Sequence, residues 1–217
     1  MTIALKQQLL PLQWNQDYSE KSFHVGSFNE LAYKWVQVWP QQCSHILFSC
    51  IYGPKYCGKS HLLAIWQKQN NAHKIELGEL SYHLIQKNKY FILPHIDQIN
   101  DPMWLFTLYN DFLAHGCFLL TSAYQSAQVW ESQIPDLASR FKTFYSVEIQ
   151  KPNDLSVLLK KMLRDKGMVL SDFQIQYILK RVERSFKKLY QISEQIDQLK
   201  KEKDKVLFQD IIKMCEI

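Results

Sequence analysis

Eight consecutive residues constrain this chain more than any others. Gly53-Pro-Lys-Tyr-Cys-Gly58-Lys59-Ser60 satisfies the pattern G-x-x-x-x-G-K-[ST], which arises by chance in roughly one chain in a hundred. Glycine is scarce, six in 217 residues, so two glycines at the required spacing carry weight. The octet follows the apolar run His45–Ile51 and precedes Ser60–Gln69, which has helical character. A phosphate-binding loop requires that strand–turn–helix setting. Its glycines let backbone N–H groups turn inward around phosphate oxygens, and the following helix offers its positive end. Lys59 is expected to reach the β- and γ-phosphates and Ser60 to ligate Mg²⁺, with Lys55, Tyr56, Cys57 and His61 lining the same loop.

The rest of the chain must supply a fold for such a loop. Apolar runs at His45–Ile51, Lys74–Leu77, Tyr90–Leu93, Cys117–Thr121 and Phe144–Ile149 read as strands, several buried on both faces as in a parallel sheet. Helical patterns fill the gaps at Ser27–Trp39, Ser60–Gln69, Leu80–Gln86 and Met103–Leu113. In the first, Ser27 and Glu30 have capping-box spacing, and Phe28, Leu31, Trp35 and Val38 form one stripe. Alternation of this kind predicts an α/β sheet sandwiched by helices. After Ile149 only helical periodicity remains. Pro152 opens a helix over Asp154–Lys166 that Gly167 closes, and a small all-helical lid is expected over 152–217. The predicted layout is an N-terminal peptide and linker at 1–22, an α/β domain at 23–151 and the lid.

Several function classes fall away. Hydrophobic residues at 47% and charged residues at 22% exclude disorder. No run approaches the roughly 18 apolar residues of a membrane span. Lys6, Gln7 and Gln8 interrupt the only N-terminal apolar run that a signal peptide could use, so a cytoplasmic location is expected. The five cysteines form no CxxC pair, which excludes a zinc knuckle and argues against a disulfide framework. A net charge of +5 is compatible with an anionic ligand or nucleic acid but selects neither.

Hydrolysis asks for more than a phosphate cradle: an acidic residue at the end of a neighbouring strand. Tyr90–Leu93 runs instead into Pro94. Asp97 lies three residues late, serving as a metal ligand only if the loop folds back and otherwise reading as a loop or cap aspartate. Cys57 invites a redox role, because a helix N-terminus lowers a thiol pKa, against the plainer reading of a variable loop position. His95 lacks companions in sequence for a metal site, and the scattered tryptophans read as core.

Three flanking segments give the octet a family context. Phe23-His-Val25-Gly26-Ser-Phe-Asn29-Glu-Leu-Ala32 is similar to an F-x-x-G-x-x-N-x-x-A segment, Ile134-Pro-Asp-Leu-Ala-Ser-Arg140-Phe141 to an L-x-S-R-F box, and Lys180–Leu189 to a sensor II helix. With them the chain resembles the DnaA-related AAA+ family across nearly its whole length, and within it the Hda-like branch of short inactivators of DnaA. The resemblance implies adenine near Val25 and Gly26, bound ADP or ATP with Mg²⁺, Lys187 at the sensor II position and Arg140 as an arginine finger acting in trans. Gln7-Gln-Leu-Leu10-Pro11-Leu12 is similar to the peptide by which that branch docks on the β sliding clamp of DNA polymerase. With 217 residues ending soon after the expected lid, a counterpart of DnaA's DNA-binding domain is not expected. Implied partners are therefore the clamp and DnaA, with DNA contacted weakly or indirectly, no membrane, and self-association through AAA+ surfaces.

The departures bear on hydrolysis. Pro94 replaces the family's aspartate, Ala123 and Tyr124 stand where an Asp-Arg pair follows the sensor I strand, and Lys187 replaces the sensor II arginine, keeping charge but losing the bidentate fork. The expected activity is thus stimulation of a partner's ATP hydrolysis, with negative regulation of replication initiation as the outcome. The rivals are an active ATPase of the helicase-loader kind using Asp97, and a DNA-binding replication factor working through basic surface.

Overall fold

The computed structural model describes residues 18–79, 81–151, 155–183, 185–202 and 207–215. Gln7, Leu10, Pro11 and Leu12, and the Pro152 and Asp154 expected to open a helix, lie outside them.

Five strands form one parallel sheet: β1 (Phe48–Tyr52), β2 (His73–Lys74), β3 (Tyr90–Leu93), β4 (Phe118–Ala123) and β5 (Tyr145–Glu148), in the order β2-β3-β4-β1-β5. All six residues of β4 and the first four of β1 are buried, which is why these strands carry no charged residue and do not alternate between apolar and solvent-facing positions. The second strand is shorter than Lys74–Leu77. Ile75 makes one more ladder bond, to the Ile92 carbonyl, but the Glu79 carboxylate then captures the Glu76 amide and turns the chain.

Helices α1 (Glu30–Val38) and α2 (Lys59–Asn70) cover one face; α3 (Tyr82–Lys87), α4 (Pro102–His115) and α5 (Pro135–Phe141) cover the other. Two stacked indoles, Trp39 and Trp66, anchor the first layer with centroids 5.0 Å apart, and both N–H groups reach backbone carbonyls. Truncating either to alanine costs about 3–5 kcal/mol.

Helix α1 differs from its sequence reading. The Ser27–Glu30 capping box does not form; Asn29 occupies the N-cap. Its side chain closes the preceding loop instead, accepting from the Gly26 amide at 2.8 Å and donating to the His24 carbonyl at 2.9 Å. That entry rotates the helix, so the buried stripe is Phe28, Ala32, Val36 and Trp39, while Leu31 is 70% exposed. Apolar residues lie on both stripes, and periodicity alone does not choose between them.

The C-terminal part consists of α6 (Ser156–Asp165), α7 (Asp172–Leu179), α8 (Phe186–Glu202) and α9 (Phe208–Cys215) around its own core, including Leu159, Leu163, Ile178, Leu189 and Ile196. Gly167 closes α6 in the left-handed region (φ 67°), where a side chain would be strained. The Lys200 ammonium donates to the exposed carbonyls of Lys166 and Gly167, so the basic run at 200–205 begins as a cap. Phe186 joins the two parts, packing in the α1–α2 layer with its ring 5.9 Å from Phe28. Among the described residues no helix is long and apolar enough to cross a membrane.

Candidate phosphate-binding site

The loop Gly53–Gly58 leaves the carboxyl end of β1, between the ends of β4 and β5. Gly53 is fixed there by its amide, which donates to the Ala123 carbonyl at 3.2 Å. A Cβ at this position would lie 2.6 Å from the Ile149 carbonyl oxygen, so only glycine fits. Gly58 is the N-cap of α2 with φ 102°, and the first-turn amides of Lys59 and Ser60 follow it. Ser60 is exposed, with its hydroxyl available at the helix start.

Lys59 is buried, 5% exposed, and its ammonium donates to the Gly53 carbonyl at 2.7 Å and the Pro54 carbonyl at 2.8 Å. The Tyr124 ring lies beneath it, 5.0 Å away. Burial holds this ammonium below the ordinary lysine pKa, partly offset by Cys57 and by the negative charge of Asp97. A cation held by two neutral carbonyls can exchange them for a charged acceptor, since charge-assisted hydrogen bonds are the stronger. Burial pushes the Cys57 thiol up, not down, which removes the thiolate that a redox role requires.

Sequence reasoning left Asp97 conditional on a folded-back loop, and the loop does fold back. His95 turns the chain in a left-handed conformation (φ 56°), its amide donating to the Ser122 hydroxyl at 3.0 Å. The single 3-10 turn Ile96–Gln98 then brings the Asp97 carboxylate to the end of β4, where it accepts from the Tyr124 amide at 2.7 Å. Lys59, Tyr124 and Asp97 thus lie together at the carboxyl ends of β1, β4 and β3, the edge at which open parallel sheets bind ligands. Pro94 contributes no ligand, and among the described residues no group of three or more His, Cys, Asp or Glu could hold a metal ion.

The segment ahead of α1 covers the loop from above. Phe23 lies 3.4 Å from where a Gly58 Cβ would stand, and its ring meets His61 edge-on at 5.0 Å and stacks on Tyr33 at 5.7 Å. His61 is turned away from the loop mouth, with its Nε2 2.8 Å from the Ser19 carbonyl. Gly26 is held by Asn29, and Val25 is 39% exposed beside it.

Tyr56 and Lys55 lie in the loop as expected, whereas their neighbour Tyr190 belongs to no sequence motif. Tyr56 takes a left-handed conformation (φ 66°) in mid-loop, and its ring stacks on Tyr190 of α8 with centroids 4.3 Å apart and planes 10° apart. Lys55 places its ammonium 5.0 Å from the same ring. This stack fastens the helical part to the loop, and a bulky residue where the loop needs positive φ was the available clue. Lys187 lies one turn before Tyr190, hence on the same face of α8, and its side chain is exposed. Arg140 is elsewhere: it lies on α5, against α4, and makes none of the contacts around Lys59.

No protein-family model matches the chain. Its fold matches solved structures. The crystal structure of domain III of the replication initiation protein DnaA from Thermotoga maritima superposes with a TM-score of 0.75 at 18% identity, covering 91% of this chain and 95% of that one. AMPPCP-bound DnaA from Aquifex aeolicus gives 0.66 at 20% identity, with coverage of 87% and 66%. The Holliday junction branch migration motor RuvB of Thermotoga maritima gives 0.65 at 17% identity, with coverage of 94% and 73%. At these identities the likeness is one of fold: a parallel sheet between helices, followed by a helical segment.

Proposed function

We propose that this chain is a DnaA-related AAA+ nucleotide-binding protein of the Hda type, an adaptor that acts on another molecule's ATP. One observation carries the reading: Lys59 is held by two loop carbonyls at the end of β1, while Pro94 follows β3 and β4 ends on Ala123 with Tyr124 next. Binding groups are retained where the hydrolytic groups have gone. Lys59 would give up the Gly53 and Pro54 carbonyls for the β- and γ-phosphates of ADP or ATP, and Lys187 would approach from α8. The neighbouring structures support this in one respect, since the DnaA of Aquifex aeolicus holds the ATP analogue AMPPCP. Mg²⁺ would find the exposed Ser60 hydroxyl and the Asp97 carboxylate, and it would supply charge neutralisation at the phosphates.

The adaptor role assigns Arg140 to a partner's nucleotide and Gln7, Leu10, Pro11 and Leu12 to the sliding clamp. An extended peptide with a polar anchor and aliphatic knobs suits an apolar surface pocket. The test follows radiolabelled ATP held by DnaA on clamp-loaded DNA. The parent chain should accelerate its hydrolysis, and the triple variant Gln7→Ala, Leu10→Ala, Leu12→Ala should lose both clamp binding and acceleration at unchanged melting temperature. Brisk turnover by the parent chain without DnaA would sink the adaptor reading.

The folded-back Asp97 favours a second reading, an active ATPase of the helicase-loader kind, because its negative charge reaches Lys59. Basal hydrolysis abolished by Asp97→Asn would select it, and no measurable basal hydrolysis would select the adaptor.

A further inference from the structure

Arg140 is held in an unusual way. Its guanidinium carbon lies 4.6 Å from the centre of the Phe106 ring and 5.1 Å from that of Tyr109. Both rings stand on α4 three residues apart, hence on one face of that helix. Nη1 is buried and has no hydrogen-bond partner among the described residues. The main chain beneath is fixed by the same wall. The Arg140 carbonyl accepts from the Thr143 amide at 2.9 Å and from its hydroxyl at 2.7 Å, and that hydroxyl is 3.0 Å from the Tyr109 hydroxyl. Tyr109 stacks on Phe48 of β1 at 4.3 Å, so this wall is anchored in the core, while Phe106 is half-buried at the outside.

Ring faces attract the charge of a guanidinium but serve none of its donors. A donor buried without an acceptor is the least favourable state for such a group. The berth therefore holds Arg140 while leaving it a reason to depart. With Nη1 buried, this rotamer cannot present the fork to a second molecule; the side chain has to leave the rings first.

We propose that Phe106 and Tyr109 are positioning residues that stow Arg140 on α4 and set the cost of its release to a phosphate presented by another protein. The proposal rests on the reading of Arg140 as an arginine finger in trans. Tyr109 is the fixed wall and Phe106 the adjustable one.

The experiment uses the full chain with DnaA carrying radiolabelled ATP on clamp-loaded DNA, at a limiting concentration of the chain. Phe106→Leu keeps apolar bulk but removes the ring face, and raises stimulation about two- to fivefold; Phe106→Trp strengthens the face and lowers it by a similar factor. A residue that only supports the fold would lower activity in both variants. Nuclear magnetic resonance of the arginine-labelled chain gives a reading without activity. The Arg140 side-chain resonances should be displaced by ring currents in the parent and lose that displacement in Phe106→Leu. If Phe106→Leu does not fold, Phe106→Trp and the parent's resonances still decide. Undisplaced resonances in the parent, or Phe106 variants that both match it or shift stimulation the same way, overturn the stowage. Should Arg140→Ala stimulate as well as the parent, the trans-finger reading falls instead, and the two failures are distinguishable.

Discussion

Two cations are withdrawn from solvent here, at the β1–α2 junction and at the α4–α5 corner, and they are treated in opposite ways. Lys59 is nearly inaccessible, yet its ammonium is served by two backbone carbonyls of its own loop and by the Tyr124 ring. Arg140 is only half-buried, yet it rests between two rings with Nη1 unserved. The first arrangement is self-contained: the loop supplies acceptors that a phosphate can replace without any change of rotamer being required of a partner. The second is incomplete on its own, and an outside anion would complete it. Under the proposed function, the cation assigned to the chain's own ligand is the satisfied one, and the cation assigned to another molecule is the one with an unserved donor.

The two regions should therefore dissociate under mutation. Arg140→Ala is expected to reduce stimulation of DnaA-bound ATP hydrolysis by about 10³-fold or more, the range of arginine fingers supplied in trans, while leaving the chain's own ADP affinity within about twofold. Radiolabelled hydrolysis and calorimetry read the two quantities, and a fall in ADP affinity would merge the regions. Lys59→Ala is expected to weaken ADP binding at least about tenfold, roughly 1.4 kcal/mol, measured by calorimetry. Unchanged affinity would make the motif match accidental.

Smaller effects sharpen the Lys59 side of the contrast. Tyr56→Ala loses the Tyr190 stack and keeps a Cβ in the left-handed region, whereas Tyr56→Gly loses the stack but relieves the backbone. Chemical denaturation should find the glycine variant more stable than the alanine variant by about 1 kcal/mol. Equal stability would mean that the loop relaxes around position 56. The smallest effect is chemical. Burial raises the Cys57 thiol pKa, so at about pH 8 less of it is thiolate than of an ordinary thiol, and its alkylation accelerates only as pH climbs toward the raised value. Iodoacetamide followed by peptide mass spectrometry should modify the half-buried Cys43 before Cys57. The reverse order would indicate that the loop opens readily in solution.

Much of this molecule is local in origin. The octet Gly53–Ser60 dictates strand, tight turn and helix start because phosphate chemistry fixes both spacing and residue type, and the loop has that form. Five runs mark the five parallel strands, and the three inner ones, β3, β4 and β1, are buried almost throughout because a strand covered on both faces does not alternate. Gly167 ends α6 as expected, since a left-handed cap excludes most side chains.

Other outcomes depended on side-chain contacts that periodicity and motifs do not encode. The buried stripe of α1 depended on Asn29 tying Gly26 to His24, so the helix turned away from the reading that made Ser27 its cap and buried Leu31. The place of Asp97 is set by the Tyr124 amide, 27 positions later, which donates to its carboxylate. Arg140 was visible as a motif residue, but its berth is made of α4 side chains more than 30 positions earlier, and nothing within its own motif specifies two rings and an unserved donor. The sequence by itself determined which segments fold as strands and helices and where a phosphate can be cradled, because those depend on neighbouring residues. Only the tertiary structure decided which charges are served and which are left waiting, because a hydrogen bond or a ring contact depends on what the fold brings within a few ångströms.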